Sequence, residues 1–418
     1  MNTFQELDLS PYFHKQLERN NFVTPTAVQA AAIPVALTGK DLFATAQTGT
    51  GKTLAFLLPA MERMLAQQDR SISTLVLVPT RELALQVEAQ YEMLAGERLP
   101  QAAVIIGGAS EKTQIRSLRN GAKLVVATPG RFEDLLDRKL IKIDKIDLLV
   151  LDEADRMLDM GFIPAIRRIV KKLPASVVRG KKQRQTMCFS ATLDPNVMAI
   201  VDEILVAPER ISIGSTRKHN DSVALRAYEV DKDQKFALLL KLVSEERGQS
   251  LVFVATKRSS DRVADKLHRA GVKVAVIHGD RSQSQRNSAL GSFQDRKAQV
   301  LVATDVASRG IHVDDIAQVI NYDLPNQAED FIHRVGRTGR AGNEGTAITL
   351  YTPLERRDLQ AIERTLQVKI ERIKPDGEAL DREQRVGPVD VSKLKAVKAR
   401  GNQSRGFRLE GEVLQRYN

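Results

Sequence analysis

Two short stretches carry residues whose types and spacing could do phosphate chemistry. The first is Ala46-Gln47-Thr48-Gly49-Thr50-Gly51-Lys52-Thr53. Its glycines let backbone N–H groups turn toward a phosphate chain. Lys52 could then reach the β/γ phosphates, and the Thr53 hydroxyl could bind Mg²⁺. The strict phosphate-loop pattern has Gly at the first position, where this chain has Ala46. The second stretch is Asp152-Glu153-Ala154-Asp155. Asp152 would hold Mg²⁺ through water, and Glu153 would orient and deprotonate an attacking water. Taken alone, the first stretch could be a glycine-rich turn, and such an acid cluster is more often a solvated helix start. Together they favour a catalytic pair.

Both stretches need strands to present them. The first follows Asp41-Leu42-Phe43-Ala44-Thr45 and precedes a helical stretch, Leu54–Ala66, whose N-terminus adds a positive dipole end. The second follows Leu148-Leu149-Val150-Leu151, which puts the acids at the C-terminal end of a strand. In an open α/β sheet that is the ligand-binding edge. Further runs at 74–78, 103–106, 124–127 and 186–189 are apolar on successive positions, as suits strands buried on both faces of a parallel sheet. Amphipathic stretches such as Arg81 to Ala95 supply the crossover helices. The pattern restarts with runs at 251–254, 274–277, 300–303, 319–320 and 346–350. No short-period repeat is visible. The expected architecture is α/β, with two tandem domains, each a parallel sheet flanked by helices. The boundaries are 1–207 for the first domain, 208–222 for a polar linker, 223–370 for the second domain and 371–418 for a basic, flexible tail.

Composition narrows the function classes. The chain has 418 residues, 42% apolar and 28% charged, which excludes wholesale disorder. A single cysteine, Cys188, excludes a disulfide scaffold and a cysteine-built zinc site. No apolar run approaches the roughly 20 residues that span a bilayer, and the first residues lack a signal pattern. The expectation is a soluble, cytoplasmic protein without a membrane partner. Its net charge of +11 suits a polyanionic partner, and on charge alone it suits a well-solvated surface equally. Aromatics are only 5%, with no Trp, so base stacking should not dominate any nucleic-acid contact.

The phosphate loop and the Asp-Glu-Ala-Asp tetrad together resemble the DEAD-box ATP-dependent RNA helicases, and other family motifs follow in order to about residue 350. Phe22-Val23-Thr24-Pro25-Thr26-Ala27-Val28-Gln29 resembles the adenine-reading motif, with Phe4 upstream. The resemblance implies that Phe22 stacks on adenine and that the Gln29 amide meets the base edge. Pro79-Thr80-Arg81, Gly107-Gly108 and Thr128-Pro129-Gly130-Arg131 resemble RNA-backbone motifs. Ser190-Ala191-Thr192 resembles the motif coupling hydrolysis to strand separation, a role that Asp155 and His333 would share. In the second domain Thr256, the His278-Gly279-Asp280 and Gln283–Arg286 stretches, and Thr304 fall in further RNA-contacting or interdomain motifs. Asp305 would touch the nucleotide ribose. His333–Arg340 resembles the arginine-finger motif, whose Arg337 and Arg340 would reach the γ-phosphate. Singly, each motif has a bland reading: Phe22 as core, His278 as a structural histidine, the arginines as a solvated face. Order and spacing overturn them.

Three departures from the family pattern stand out: Asn21 for Gly, His312 for Asp, and a long connection over 175–184. The resemblance implies two RecA-like domains, ATP and Mg²⁺ as ligands, and RNA held mainly by its backbone. It implies ATP hydrolysis that drives local unwinding of short duplexes or remodelling of RNA–protein complexes, by a monomer. The bacterial RhlE-like subgroup is the nearest in pattern, through Asp152–Phe162. Ribosomal and RNA-decay proteins enter as partners only by inheritance. The alternatives are a phosphate-loop helicase or translocase acting on DNA, and an ATP-gated RNA clamp with little turnover.

Overall fold

The computed structural model describes residues 3–46, 49–178, 181–213, 223–305, 316–325, 327–339 and 344–374. Two seven-stranded parallel sheets organise them. The first contains β1 (Leu42–Thr45), β2 (Thr74–Leu77), β3 (Ala103–Ile105), β4 (Leu124–Ala127), β5 (Leu148–Leu151), β8 (Gln185–Ser190) and β9 (Glu209–Ser212). The strand order is β3-β4-β2-β5-β8-β1-β9. The second contains β10 (Val223–Glu229), β11 (Gln249–Phe253), β12 (Val274–Ile277), β13 (Val300–Ala303), β14 (Ile316–Asn321), β15 (Gly345–Tyr351) and β16 (Glu371–Ile373). Its order is β12-β13-β11-β14-β15-β10-β16. Strand for strand the two orders are the same, so the chain repeats one fold at domain length.

The continuous apolar runs are explained by two-sided burial. Successive strand residues face opposite sides. Leu42 and Ala44 pack into one core with Leu54 and Leu58, while Phe43 packs into another with Leu75 and Cys188. In the second sheet Val252 and Val302 share one layer, and Leu251 and Leu301 the other. Helices that matter for the site are α1 (Pro11–Arg19), α2 (Ala27–Leu37), α3 (Lys52–Ala66), α4 (Arg81–Ala95), α5 (Glu111–Arg119), α6 (Pro129–Asp137) and α7 (Ala154–Asp159). They are followed by α8 (Ile163–Lys172), α9 (Pro195–Ile204), α10 (Lys235–Glu245), α11 (Lys257–Arg269), α12 (Gln283–Gln294), α13 (Ala328–Val335) and α14 (Arg356–Leu366). None of the described helices is long and apolar enough to cross a membrane.

Both sheets reach past the expected boundaries. β9 lies inside the stretch 208–222 but pairs in register with β1, Leu42 against Glu209. β16 lies beyond 370 and pairs with β10. Both are short edge strands with exposed side chains, so neither has the apolar signature of a buried strand. The long connection before β8 forms a two-stranded antiparallel hairpin, β6 (Val177–Val178) with β7 (Lys181–Lys182). It leads into the N-terminal end of β8, away from the ligand edge. His312 and residues 375–418 lie outside the described residues.

Candidate active site

Apart from Phe22 and Gln29, which precede β1, every expected site residue that is described lies at or beyond the C-terminal end of a strand, and the strand order sorts these into two groups. Ala46 and Lys52 follow β1, Asp152–Asp155 follow β5, and Ser190–Thr192 end β8; these strands are neighbours. Pro79–Arg81 follow β2, Gly107–Gly108 follow β3, and Thr128–Arg131 follow β4; these form the other half of the sheet. The second sheet repeats the division. Thr256, Gly279 and Thr304 follow β11, β12 and β13, while His333 and Arg337 follow β14.

The first half is a phosphate-type site. Gly51 caps α3 with a left-handed φ of 87°. A Cβ there would lie 2.4 Å from Nε2 of Gln29. Gln29 Nε2 donates to the Gly51 carbonyl at 3.0 Å, and its Oε1 accepts from Thr26 N at 2.8 Å. One amide thus caps α2 and braces the glycine loop. Lys52 is buried, and its Nζ donates to the Ala46 carbonyl at 3.0 Å. Thr53 follows it in the first turn of α3, and Gln47 and Thr48 lie outside the described residues. Phe22 is half-buried against the core, and Phe4 N–H ties to the Val23 carbonyl at 3.2 Å. Asn21 has φ 59° and follows α1. Asn enters that region more readily than most residues, so it meets the backbone demand that Gly would meet.

The acids are held tightly. Asp152 Oδ1 accepts from Glu153 N at 3.0 Å. Burial pushes the Asp152 carboxyl up to about 7, opposed by the Lys52 charge and reinforced by Glu153. Glu153 has a left-handed backbone, φ 55° and ψ 52°. Its Oε2 accepts from Arg156 at 3.0 Å, and both side chains are buried. Asp155 Oδ2 accepts from Ala191 N at 2.9 Å, and Ala46 N donates to the Ser190 carbonyl at 3.0 Å. The Ser190 hydroxyl donates to the Thr192 carbonyl at 2.9 Å. The acid tetrad, glycine loop and Ser-Ala-Thr turn are therefore one hydrogen-bonded unit. Among the described residues no three His, Cys, Asp or Glu converge as a protein-built metal cage. A buried acid beside a hydroxyl-bearing helix start fits a cation that keeps water and phosphate ligands, the usual Mg²⁺ arrangement.

From the second domain, Arg334 forms a bidentate pair with Asp305 at 2.6 and 2.7 Å and also donates to Asn321 Oδ1. Asp305, expected at the ribose, is thus engaged by an arginine that the motif reading left without a role. Arg337 is buried and its Nε donates to the His333 carbonyl at 3.3 Å. Arg340 lies outside the described residues.

In the other half, Arg81 lies over the Gly107-Gly108 turn. A Cβ on Gly108, whose φ is 77°, would meet its Nη1 at 2.3 Å. Buried Pro79 and Thr80 precede it, and Thr80 Oγ1 caps α4 by accepting from Leu83 N. Arg131 donates to Glu111 at 2.9 Å and also pairs with Asp134, while Arg138 joins the same Glu111. The Arg138 and Arg131 hydrogen bonds hold the Glu111 carboxyl down at about 2. Arg131 is thus braced by acids, whereas Gly130 has open space around it. Thr256 is exposed and caps α11, Gly279 is exposed beside Lys257, and Thr304 is buried.

Contacts at two places cross the cleft among the described residues. Arg286 on α12 donates to Glu82 on α4 at 2.7 Å. Arg156 on α7 lies 3.4 Å from His333 Nδ1 on α13. Residue typing alone did not single out these pairings, although Arg156 stands three residues from Glu153, the spacing of neighbours on a helix.

The DEAD/DEAH box helicase domain matches residues 26–200, and the helicase conserved C-terminal domain matches residues 234–342. The chain is 38% identical to the DEAD-box ATP-dependent RNA helicase CshA of Geobacillus kaustophilus, over 100% of this chain and 88% of the relative. It is 41% identical to the RNA helicase CrhR of Synechocystis, over 88% of this chain and 74% of the relative. Among solved structures, Dbp5 of S. cerevisiae bound to RNA and ADP BeF3 superposes with a TM-score of 0.80 at 29% identity, covering 96% of this chain and 99% of that one. Likeness of this extent, together with tandem RecA-like sheets and the ordered motifs at their edges, makes the chain a member of the DEAD-box helicases.

Proposed function

We propose that the protein is an RNA-stimulated ATPase that uses ATP to part short RNA duplexes or remodel RNA–protein complexes. The observation that carries this reading is the division of each sheet edge into a phosphate-type half and a backbone-type half, with a charged contact crossing the cleft on each side. ATP would lie over β1, β5 and β8, with Phe22 and Gln29 at the base. Asp152 and Thr53 would hold Mg²⁺, which would neutralise phosphate charge. Glu153 takes the proton of the attacking water. Lys52 from one domain and Arg337 from the other neutralise charge on the phosphoryl oxygens, so hydrolysis needs a closed cleft.

RNA would lie over β2, β3 and β4 and over β11, β12 and β13. Backbone groups, threonine hydroxyls and Arg81 suit phosphates and 2′-OH groups, so selectivity for sequence is low. Arg131 would act by shaping the α5–α6 surface. We place the protein in the cytoplasm as a monomer, with ribosomal or RNA-decay proteins as its candidate partners. The test is Glu153→Gln. It should retain ATP-dependent RNA binding while hydrolysis falls by about 10² or more. Hydrolysis at the wild-type rate would remove Glu153 as the base.

A further inference from the structure

We propose that Arg156 is a positioning residue that makes the alignment of the base Glu153 conditional on closure of the cleft. The inference rests on the reading of Glu153 as the base. Arg156 is fully buried, with 0% of its surface exposed. Its Nη1 donates to Glu153 Oε2 at 3.0 Å, and its Nη2 lies 3.4 Å from Nδ1 of His333 in the other domain. The guanidinium is planar and rigid, so its two ends cannot move independently. A displacement at the His333 end is therefore felt at the Glu153 end.

Three features suit this role. Glu153 has a left-handed backbone, which a side chain other than glycine adopts at a cost, so its direction has to be held by surrounding contacts. Arg156 Nε finds no acceptor among the described residues. A buried guanidinium with an unpaired donor is a poor device for stability alone, since an apolar side chain of similar shape would fill the same space without it. His333 rides on α13 of the second domain, so opening the cleft removes the Nη2 partner. Nη2 would then face water on the side that opening bares, while Nε already lacks an acceptor, which favours a turn of the group toward solvent that carries the Glu153 carboxylate with it. A basic site that is aligned only in the closed state restrains hydrolysis in the open one, without any change in ATP binding.

The experiment is single-turnover hydrolysis at saturating RNA for the wild type and for R156M, R156K, H333A, R156M/H333A and R156K/H333A, with E153Q as control. The expected result for R156M is a rate lower by about tenfold or more, with KM for ATP and Kd for RNA within about twofold of wild type. R156K, which keeps the charge but not the fork, should recover part of the rate. H333A should cost much less in the R156M background than alone, because the link is already cut. Should R156M fail to fold, the R156K cycle gives the same comparison. Losses that multiply between positions 156 and 333 would overturn the proposal. So would a rate unchanged in R156M, or a loss confined to thermal stability. Wild-type hydrolysis by E153Q would overturn the base assignment and this inference with it. An inactive E153Q beside an unimpaired R156M would overturn the inference alone.

Discussion

Arg286 of the second domain donates to Glu82 of the first at 2.7 Å, and the two side chains are only 9% and 2% exposed. Glu82 also lies 3.4 Å from the Gln283 amide. A charge pair this dry is screened little by salt. It forms between domains, so its free energy bears on closure and not on the fold of either half. Glu82→Ala or Arg286→Ala leaves one charge buried and unpaired, which costs about 2–5 kcal/mol. The closed state should be depleted, as read by ATP-dependent RNA affinity. Replacing both residues with apolar ones of similar size should recover part of the loss. If the double replacement is no better than the worse single one, the pair is not coupled.

Gly51→Ala should damage the site beyond the loss of loop flexibility. The substituted residue would keep a left-handed φ, at about 1–2 kcal/mol, and its Cβ would displace the Gln29 amide. Weaker ATP binding and weaker discrimination between ATP and GTP should appear together. Gln29→Ala should show the same loss of discrimination and a lower midpoint of unfolding, because the cap of α2 goes too, at about 0.5–2 kcal/mol. Intact ATP preference in either variant would contradict the bracing role.

Asn21→Gly should be nearly neutral, and Asn21→Val should cost about 1–2 kcal/mol, because a β-branched residue is poorly tolerated at φ 59°. Thermal midpoints of the two variants check this. Equal midpoints would mean that the loop before Phe22 can change its path.

Cys188 lies at the centre of β8 with none of its surface exposed, and burial pushes its thiol well above the usual range, with the Asp155 and Asp152 charges adding to the shift. The thiolate is the reactive form. The folded protein should therefore resist a thiol reagent at pH 8 and react only on unfolding. Prompt labelling of the native protein would show that the core around β8 opens.

The parts legible in the sequence are those with a strong local signature. The runs at 42–45, 74–77 and 148–151 are buried on both faces and so carry no polar interruption. The residues that chemistry needs stand beside them. β10 was less visible, because Val223–Glu229 alternates buried and exposed positions despite pairing with strands on both sides. β9 and β16 were hidden in polar stretches, since edge strands gain their place from backbone pairing and not from apolar side chains. The pairings of Arg286 with Glu82 and of Arg156 with His333 join residues about 200 and 177 positions apart. No local pattern encodes them. They arise because two copies of one fold face each other edge to edge.

The most direct test of the central claim is steady-state ATP hydrolysis by the wild-type chain with single-stranded RNA, with DNA of the same sequence, and with neither. The RNA half of the cleft must close for Arg337 to approach the nucleotide, so RNA should raise the rate by about tenfold or more. DNA, which lacks the 2′-OH groups, should raise it far less. Equal stimulation by both, or a full rate with no nucleic acid, would contradict the account.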